Sequence, residues 1–181
     1  KKAEIKKPKD AIDLGISFVS EDRKLVGLNL IGSLKENITL ANLQDYCLGR
    51  SFIKRRMEES VSDEYIRKLN IRTTGREKLA GQLSGGNQQK VVLARWMSIN
   101  PELLIMDEPT RGIDVGAKAE IYRLMDDFAK AGNSVIMISS EMPEVLAMSD
   151  RVLVMCEGEV TGSFNRDEVT QEKIMKAAAG L

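Results

Sequence analysis

Histidine is absent from all 181 residues. Its absence removes imidazole acid–base catalysis and most zinc chemistry. Cysteine occurs twice, as Cys47 and Cys156. A pair so far apart fits no metal-binding spacing and reads as two reduced thiols of a cytosolic protein. Long hydrophobic runs are missing too. The longest, 103–106, 135–138 and 152–156, have strand length, well short of the roughly 18–20 apolar residues of a membrane helix. The opening Lys1-Lys2-Ala3-Glu4-Ile5-Lys6-Lys7-Pro8 is basic with no apolar stretch behind it, so it does not read as a signal peptide. Neither sign of charge is in excess: 27 Lys+Arg balance 27 Asp+Glu. That balance argues against a dedicated nucleic-acid binder, which normally presents a basic face. What remains, 43% hydrophobic and 30% charged residues, is ordinary for a folded domain with one core and room for a small lobe.

Along the chain, residues 11–15 read as a short helix feeding a strand at 16–19, followed by the charged loop Ser20-Glu21-Asp22-Arg23-Lys24. Residues 33–69 read as helical. Within them, Ile53 and, over 54–69, Met57, Val61, Tyr65 or Ile66, and Leu69 fall at helical spacing. After a connector at 75–82, Ser84 can cap a helix running to about Ile99, with Pro101 as its stop. Strand and helix then alternate: strand 103–106, helix 117–130, strand 134–139, helix 141–148 and strand 152–156. A Glu157-Gly158 turn leads to 159–164, and a helix at 170–179 closes the pattern. Strands separated by such helices imply parallel βαβ units and an α/β class. The helix-rich stretch 22–98 reads as a lobe inserted between strands, dividing the chain into 1–21, 22–98 and 99–181.

Two segments carry chemistry. Leu83-Ser84-Gly85-Gly86 offers a hydroxyl and unobstructed amides at the positive end of a helix, which suits an anion. Leu103-Leu104-Ile105-Met106 ends in Asp107-Glu108, and ligands of open parallel sheets sit beyond the carboxyl ends of the strands. Adjacent strand residues face opposite sides, which gives the two acids different tasks. Asp107 is placed to hold Mg²⁺ through water, and Glu108 to orient or deprotonate an attacking water.

The order of these segments resembles the nucleotide-binding domain of ABC transporters. It has a signature Leu83-Ser84-Gly85-Gly86, a Walker B strand ending in Asp107-Glu108, and a D-loop at Arg111-Gly112-Ile113-Asp114. The forms Ser20-Glu21-Asp22-Arg23-Lys24, Asn87-Gln88-Gln89-Lys90, Asp107 to Lys118 (DEPTRGIDVGAK) and Ser139 to Val145 (SSEMPEV) resemble, more specifically, the second ATPase half of tandem monosaccharide importers. The resemblance implies a P-loop NTPase-like parallel sheet with an inserted helical subdomain, ATP and Mg²⁺ as ligands, and ATP hydrolysis coupled to uptake of a sugar such as ribose. It implies a cytoplasmic, peripheral place on the membrane, under a sugar permease fed by a periplasmic or extracellular binding protein.

Departures from the family pattern shape the expectation. No G-x-x-x-x-G-K-[ST] loop occurs in the 181 residues, so the chain reads as a fragment beginning after its Walker A strand, inactive alone. An open apolar sheet edge and self-association are expected to follow. Glu21 stands at the Q-loop glutamine, where a carboxylate would repel phosphate. Ser140 stands at the switch histidine, although Ser139-Ser140 reads equally well as a cap for helix 141–148. ABC halves pair head-to-tail, so Ser84, Gly85, Gly86 and Gln88 would serve the partner half's ATP. Asp107 and Glu108 would belong to this half's own, altered site, and Glu21 and Asp114 are further candidates to contact nucleotide. Arg23, Lys24, Arg55 and Arg56 are candidates to meet the permease, with a solvated face as the alternative. The competing functions are an ABC ATPase acting on nucleic acid or ribosomes, which usually carries a coiled coil or basic arm, and a non-catalytic module that only completes a neighbour's site.

Overall fold

The computed structural model describes residues 3–49 and 52–181. Helix α1 (Pro8–Asp13) feeds β1 (Ile16–Val19), and a single wide turn follows at Arg23–Gly27, where the Asp22 carboxylate accepts from the amides of Lys24 and Leu25. The helical run expected over 33–69 is interrupted. Helix α2 (Leu34–Thr39) passes into a 3₁₀ segment (Leu40–Tyr46) and then into the short antiparallel pair β2 (Cys47–Leu48) and β3 (Phe52–Ile53), before α3 (Arg55–Lys68) resumes. Gly49, at φ +65°, supplies the left-handed backbone that ends β2.

Beyond a 3₁₀ turn (Ala80–Gln82) come α4 (Gly85–Met97), β4 (Leu103–Asp107), α5 (Val115–Lys130), β5 (Ser134–Ile138) and α6 (Met142–Met148). The hairpin β6 (Arg151–Cys156) and β7 (Glu159–Asn165) precedes α7 (Gln171–Ala178). Three strands form one sheet in the order β1-β4-β5. β1 and β4 run parallel, with Ile16 opposite Leu103 and Val19 opposite Met106. This is the α/β architecture that the strand–helix alternation predicts. β6 pairs antiparallel with β7, as the Glu157-Gly158 hairpin turn predicts, in a two-stranded sheet separate from the parallel one.

The chain divides into two compact units, Lys1–Ile136 and Met137–Leu181. In the first, Val19, Leu104 and Met106 turn a buried face inward, and α4 packs against β1 and α2 with Val91, Val92, Leu93 and Ala94 sealed from solvent. A buried polar knot joins α2 to α4. Arg95 donates from Nε to the Asn37 carbonyl and from Nη2 to Asn37 Oδ1, both at 2.7 Å, so the buried guanidinium is not left without acceptors. In the second unit, Val152, Val154, Ile174 and Ala177 form a core that Met142, Val145, Leu146, Phe164 and Val169 extend.

Candidate nucleotide-contacting site

The glycine-rich turn delivers the start of α4 into a cleft. Ser84 occupies the N-cap position with extended backbone (φ −62°, ψ 157°), but its side chain caps nothing. This differs from the expectation that Ser84 caps the helix. Among the described residues no side chain accepts from the amides of Gly85, Gly86 or Asn87, and a helix start has no carbonyl of its own to offer them. The hydroxyl is held from the side instead, with Asn87 Nδ2 donating to Ser84 Oγ at 2.9 Å. Asn87 Oδ1 in turn accepts from the Arg72 amide at 2.8 Å.

Ser84, Asn87, Arg72, Lys90, Asp114 and Glu120 are among the residues lining a cleft of about 180 Å³. At its floor Lys90 is only 3% exposed, donates to the Asn70 carbonyl at 2.9 Å and forms an ion pair with Glu120. Asp114 caps α5 by accepting from the Ala117 amide at 2.9 Å. Its carboxylate thus has a structural task, although it lines the same cleft as Ser84. Gly86 sits where α4 crosses α5, and a Cβ there would overlap the Ala117 methyl. Gln88, grouped with Ser84 by sequence, points inward instead. It is 5% exposed and donates from Nε2 to the Ala80 carbonyl at 3.2 Å.

A second cleft, of about 430 Å³, lies on the other side of the turn and includes Arg23, Lys24, Leu83, Gly85, Gln88 and Gly112 in its lining. Arg23 ties the charged loop to the D-loop segment, donating from Nη1 to the Arg111 carbonyl at 2.8 Å and from Nη2 to the Gly112 carbonyl at 3.2 Å. Glu21 forms an ion pair with Arg111. The carboxylate at the glutamine position is therefore partly neutralised, which softens the repulsion of phosphate expected there.

Asp107 is the last residue of β4, and Glu108 follows in left-handed backbone at φ +44°. That conformation is unusual for a residue with a side chain and turns the chain sharply out of the strand. The Arg111 amide closes the turn onto the Glu108 carbonyl at 3.1 Å. Neither acid lines either cleft. Among the described residues no group of three or more His, Cys, Asp or Glu could hold a metal. Asp107 thus offers one carboxylate at a strand end, a donor set that fits Mg²⁺, an ion that keeps several waters and takes phosphate oxygens. Ser140 belongs to the second unit. Beside it, Ser139 Oγ accepts from the Glu141 amide at 3.0 Å and donates to Glu144 Oε2 at 2.6 Å. The residue bridging into the start of α6 is thus Ser139.

The family model described as ABC transporter matches residues 3–111. This chain belongs to the ABC transporter family. It is 51% identical over 181 residues to the ribose import ATP-binding protein RbsA of Clostridium tetani, covering 100% of this chain and 36% of that protein. The protein of the same name from Oceanobacillus iheyensis is 52% identical over 180 residues, covering 99% and 36%. The ABC chain thus spans about a third of the length of these curated relatives. Among solved structures, a nucleotide-free ATP-binding cassette from an ABC transporter superposes with a TM-score of 0.74 at 21% identity, covering 96% of this chain and 68% of that one. A dimeric cassette in a post-hydrolysis state, bound to ADP and Pi, gives 0.72 at 21%, covering 90% and 68%. These likenesses establish the fold.

Around this glycine-rich turn, several residues have contacts that the sequence did not assign to them. Arg23 and Asn87 sit beside the recognised motifs but act through backbone carbonyls and a neighbouring hydroxyl. Lys90 and Glu120 lie 30 residues apart in sequence and meet only through the packing of α4 on α5. One available signal was Lys90 itself, which falls on the same helix face as Asn87, three residues away.

Proposed function

We propose that this chain is part of the ATP-hydrolysing machinery of an importer for a monosaccharide such as ribose, and that its signature turn completes an ATP site held by a second ATPase half. The observation that carries the reading is the start of α4, an N-cap serine that caps nothing above first-turn amides left without side-chain partners. Such a turn is a ready donor set for a terminal phosphate. The names of its relatives support the substrate class. Asp107 would hold Mg²⁺ through water, the ion supplying charge for the phosphates. Glu108 would orient the attacking water.

The permease would sit against the face around Arg23 and Lys24. There Leu25, Val26 and Ile31 are 84%, 70% and 86% exposed, an apolar set that a membrane partner's cytoplasmic segment would cover. No described helix is long and apolar enough to cross a membrane, so attachment would run through that partner. β5 ends the three-stranded sheet with Ile136 and Ile138 about half exposed, which supports self-association of the isolated chain.

The test is ATP hydrolysis by the full-length protein reconstituted with its permease and sugar-loaded binding protein. Hydrolysis should rise with the loaded binding protein, and Ser84→Ala should lower kcat by about tenfold or more, as expected for losing a donor to transition-state charge. Hydrolysis that responds to ribosomes or nucleic acid rather than to sugar would reject the transport reading.

A further inference from the structure

An N-cap serine ordinarily turns its oxygen onto the second or third amide of its helix, using that oxygen as an acceptor. Ser84 does not. Its oxygen is taken up by Asn87, and the direction of that hydrogen bond is fixed. The Arg72 amide can only donate, so the atom facing it, at 2.8 Å, must be Asn87 Oδ1. The amide group cannot be flipped without losing this bond, which leaves Nδ2 directed at Ser84 Oγ at 2.9 Å. A hydroxyl that accepts from Asn87 keeps its own proton for another acceptor.

The segment behind Asn87 is tied to α4 at two points. The segment carrying Arg72 is tied to α4 a second time, where Lys90 Nζ reaches the Asn70 carbonyl at 2.9 Å. Lys90 is buried and ion-paired to Glu120 on α5. Asn87 and Lys90 lie one turn apart on α4, so one helix face grips residues 70–72 at two points.

We propose that Asn87 is a positioning residue that presets Ser84 as a hydrogen-bond donor toward an anionic oxygen in the cleft, the terminal phosphoryl group of the partner half's nucleotide. This rests on the signature role assigned under Proposed function. Asn87 acts through Ser84 and need not touch the nucleotide. Its removal leaves Ser84 free to rotate onto the helix amides as an ordinary cap, which withdraws the hydroxyl and occupies a donor that the phosphate would use.

The experiment is a double-mutant cycle on the full-length protein with its permease, measuring kcat and the KM for ATP of Ser84→Ala, Asn87→Ala and the pair. Asn87→Ala should lower kcat about threefold to tenfold, the size expected for one hydrogen bond, with KM changed far less. The double variant should be no slower than Ser84→Ala alone. If Asn87→Ala slows the enzyme by the same factor with and without the Ser84 hydroxyl, or leaves kcat at the wild-type value while Ser84→Ala lowers it, the positioning role is wrong. An unimpaired Ser84→Ala would instead overturn the signature reading, and this inference with it. Should Asn87→Ala fail to fold, Asn87→Asp carries the test. It keeps the acceptor for Arg72 but takes the Ser84 proton, so its kcat should fall at an unchanged melting temperature. Wild-type turnover of Asn87→Asp would overturn the proposal.

Discussion

The start of α4 and the end of β4 both present polar groups at the terminus of an element, yet they are secured by different physics. The start of α4 is fixed from several sides: Gly86 lies tight against Ala117, Asn87 grips Arg72, and the buried Lys90 joins Asn70 to Glu120. At the end of β4 the backbone turns instead, with Glu108 leaving the strand in left-handed conformation, and the neighbouring Glu21–Arg111 pair is 45% and 65% exposed. Exposed pairs of this kind contribute little and are screened by salt. On the proposed function, a hydroxyl and amides donating directly to an anion would have to be placed to a fraction of an ångström, whereas a carboxylate acting through water would tolerate more play.

The comparison breaks most visibly at Gly86. Gly86→Ala drives a methyl into Ala117 and forces α4 and α5 apart, so it should destabilise the chain by about 1–3 kcal/mol. Gly85→Ala is the milder comparison: its Cβ would lie 2.8 Å from Arg23 Nη2, a side-chain end that can shift at the cost of its bonds to the Arg111 and Gly112 carbonyls, and 3.3 Å from the Gly112 oxygen. Urea denaturation of the two variants measures the contrast. Equal midpoints would show that α4 and α5 yield as readily as the Arg23 side chain.

A smaller effect is expected from Arg23→Ala, which removes both donors to the Arg111 and Gly112 carbonyls. The loss should be about 1 kcal/mol, as for typical hydrogen bonds in a solvent-accessible setting. Amide exchange should accelerate over residues 111–113 while the amides of α4 keep their protection. Exchange that quickens in α4 as well would mean that the two regions are coupled rather than separately held.

Much of the fold was legible because its boundaries are chemical. Strand β1 stands at the residues its apolar run predicts, and Glu157-Gly158 takes the two left-handed conformations, φ +50° and +87°, that join β6 to β7. Legibility failed where polar residues hold core positions. Apolar spacing picked the buried Tyr65 and Leu69, but on α3 Glu58 and Ser62 are buried too, whereas Met57, and Ile53 in β3, are 46% and 44% exposed. Glu58 is tolerated there because Thr39 donates to it at 3.2 Å. Hydrophobic periodicity carries no information about such satisfied polar groups. The site was legible to the same degree. Glycine spacing located the turn, but residue type alone made Ser84 a cap and aligned Gln88 with it. The competing Asn87 and the inward turn of Gln88 depend on residues 70–80, which only tertiary packing brings near.

The smallest predicted effect distinguishes the two regions by pH. The Glu120 carboxyl is held below the ordinary glutamate value of 4.5, first by its hydrogen bond from Lys90, with the charges of Lys90, Arg72 and Arg123 adding to it and burial opposing. A carboxyl with a depressed folded-state pKa stabilises the fold at pH values above its unfolded pKa, and loses that contribution as pH falls through the folded value. The loss due to Glu120 therefore lies below 4.5. Glu36 is depressed as well, by its bonds from Ser33 in the α2 cap, so the wild-type acid limb alone would not isolate Glu120. The difference between wild type and Glu120→Gln does. Measured by urea midpoints from about pH 7 to pH 3, that difference should be constant near neutrality and shrink as the solution is acidified. A difference that stays the same across the range would assign the grip of α5 on Lys90 to packing and neutral hydrogen bonding rather than to the charge of Glu120, and the floor of the cleft would then owe nothing to electrostatics.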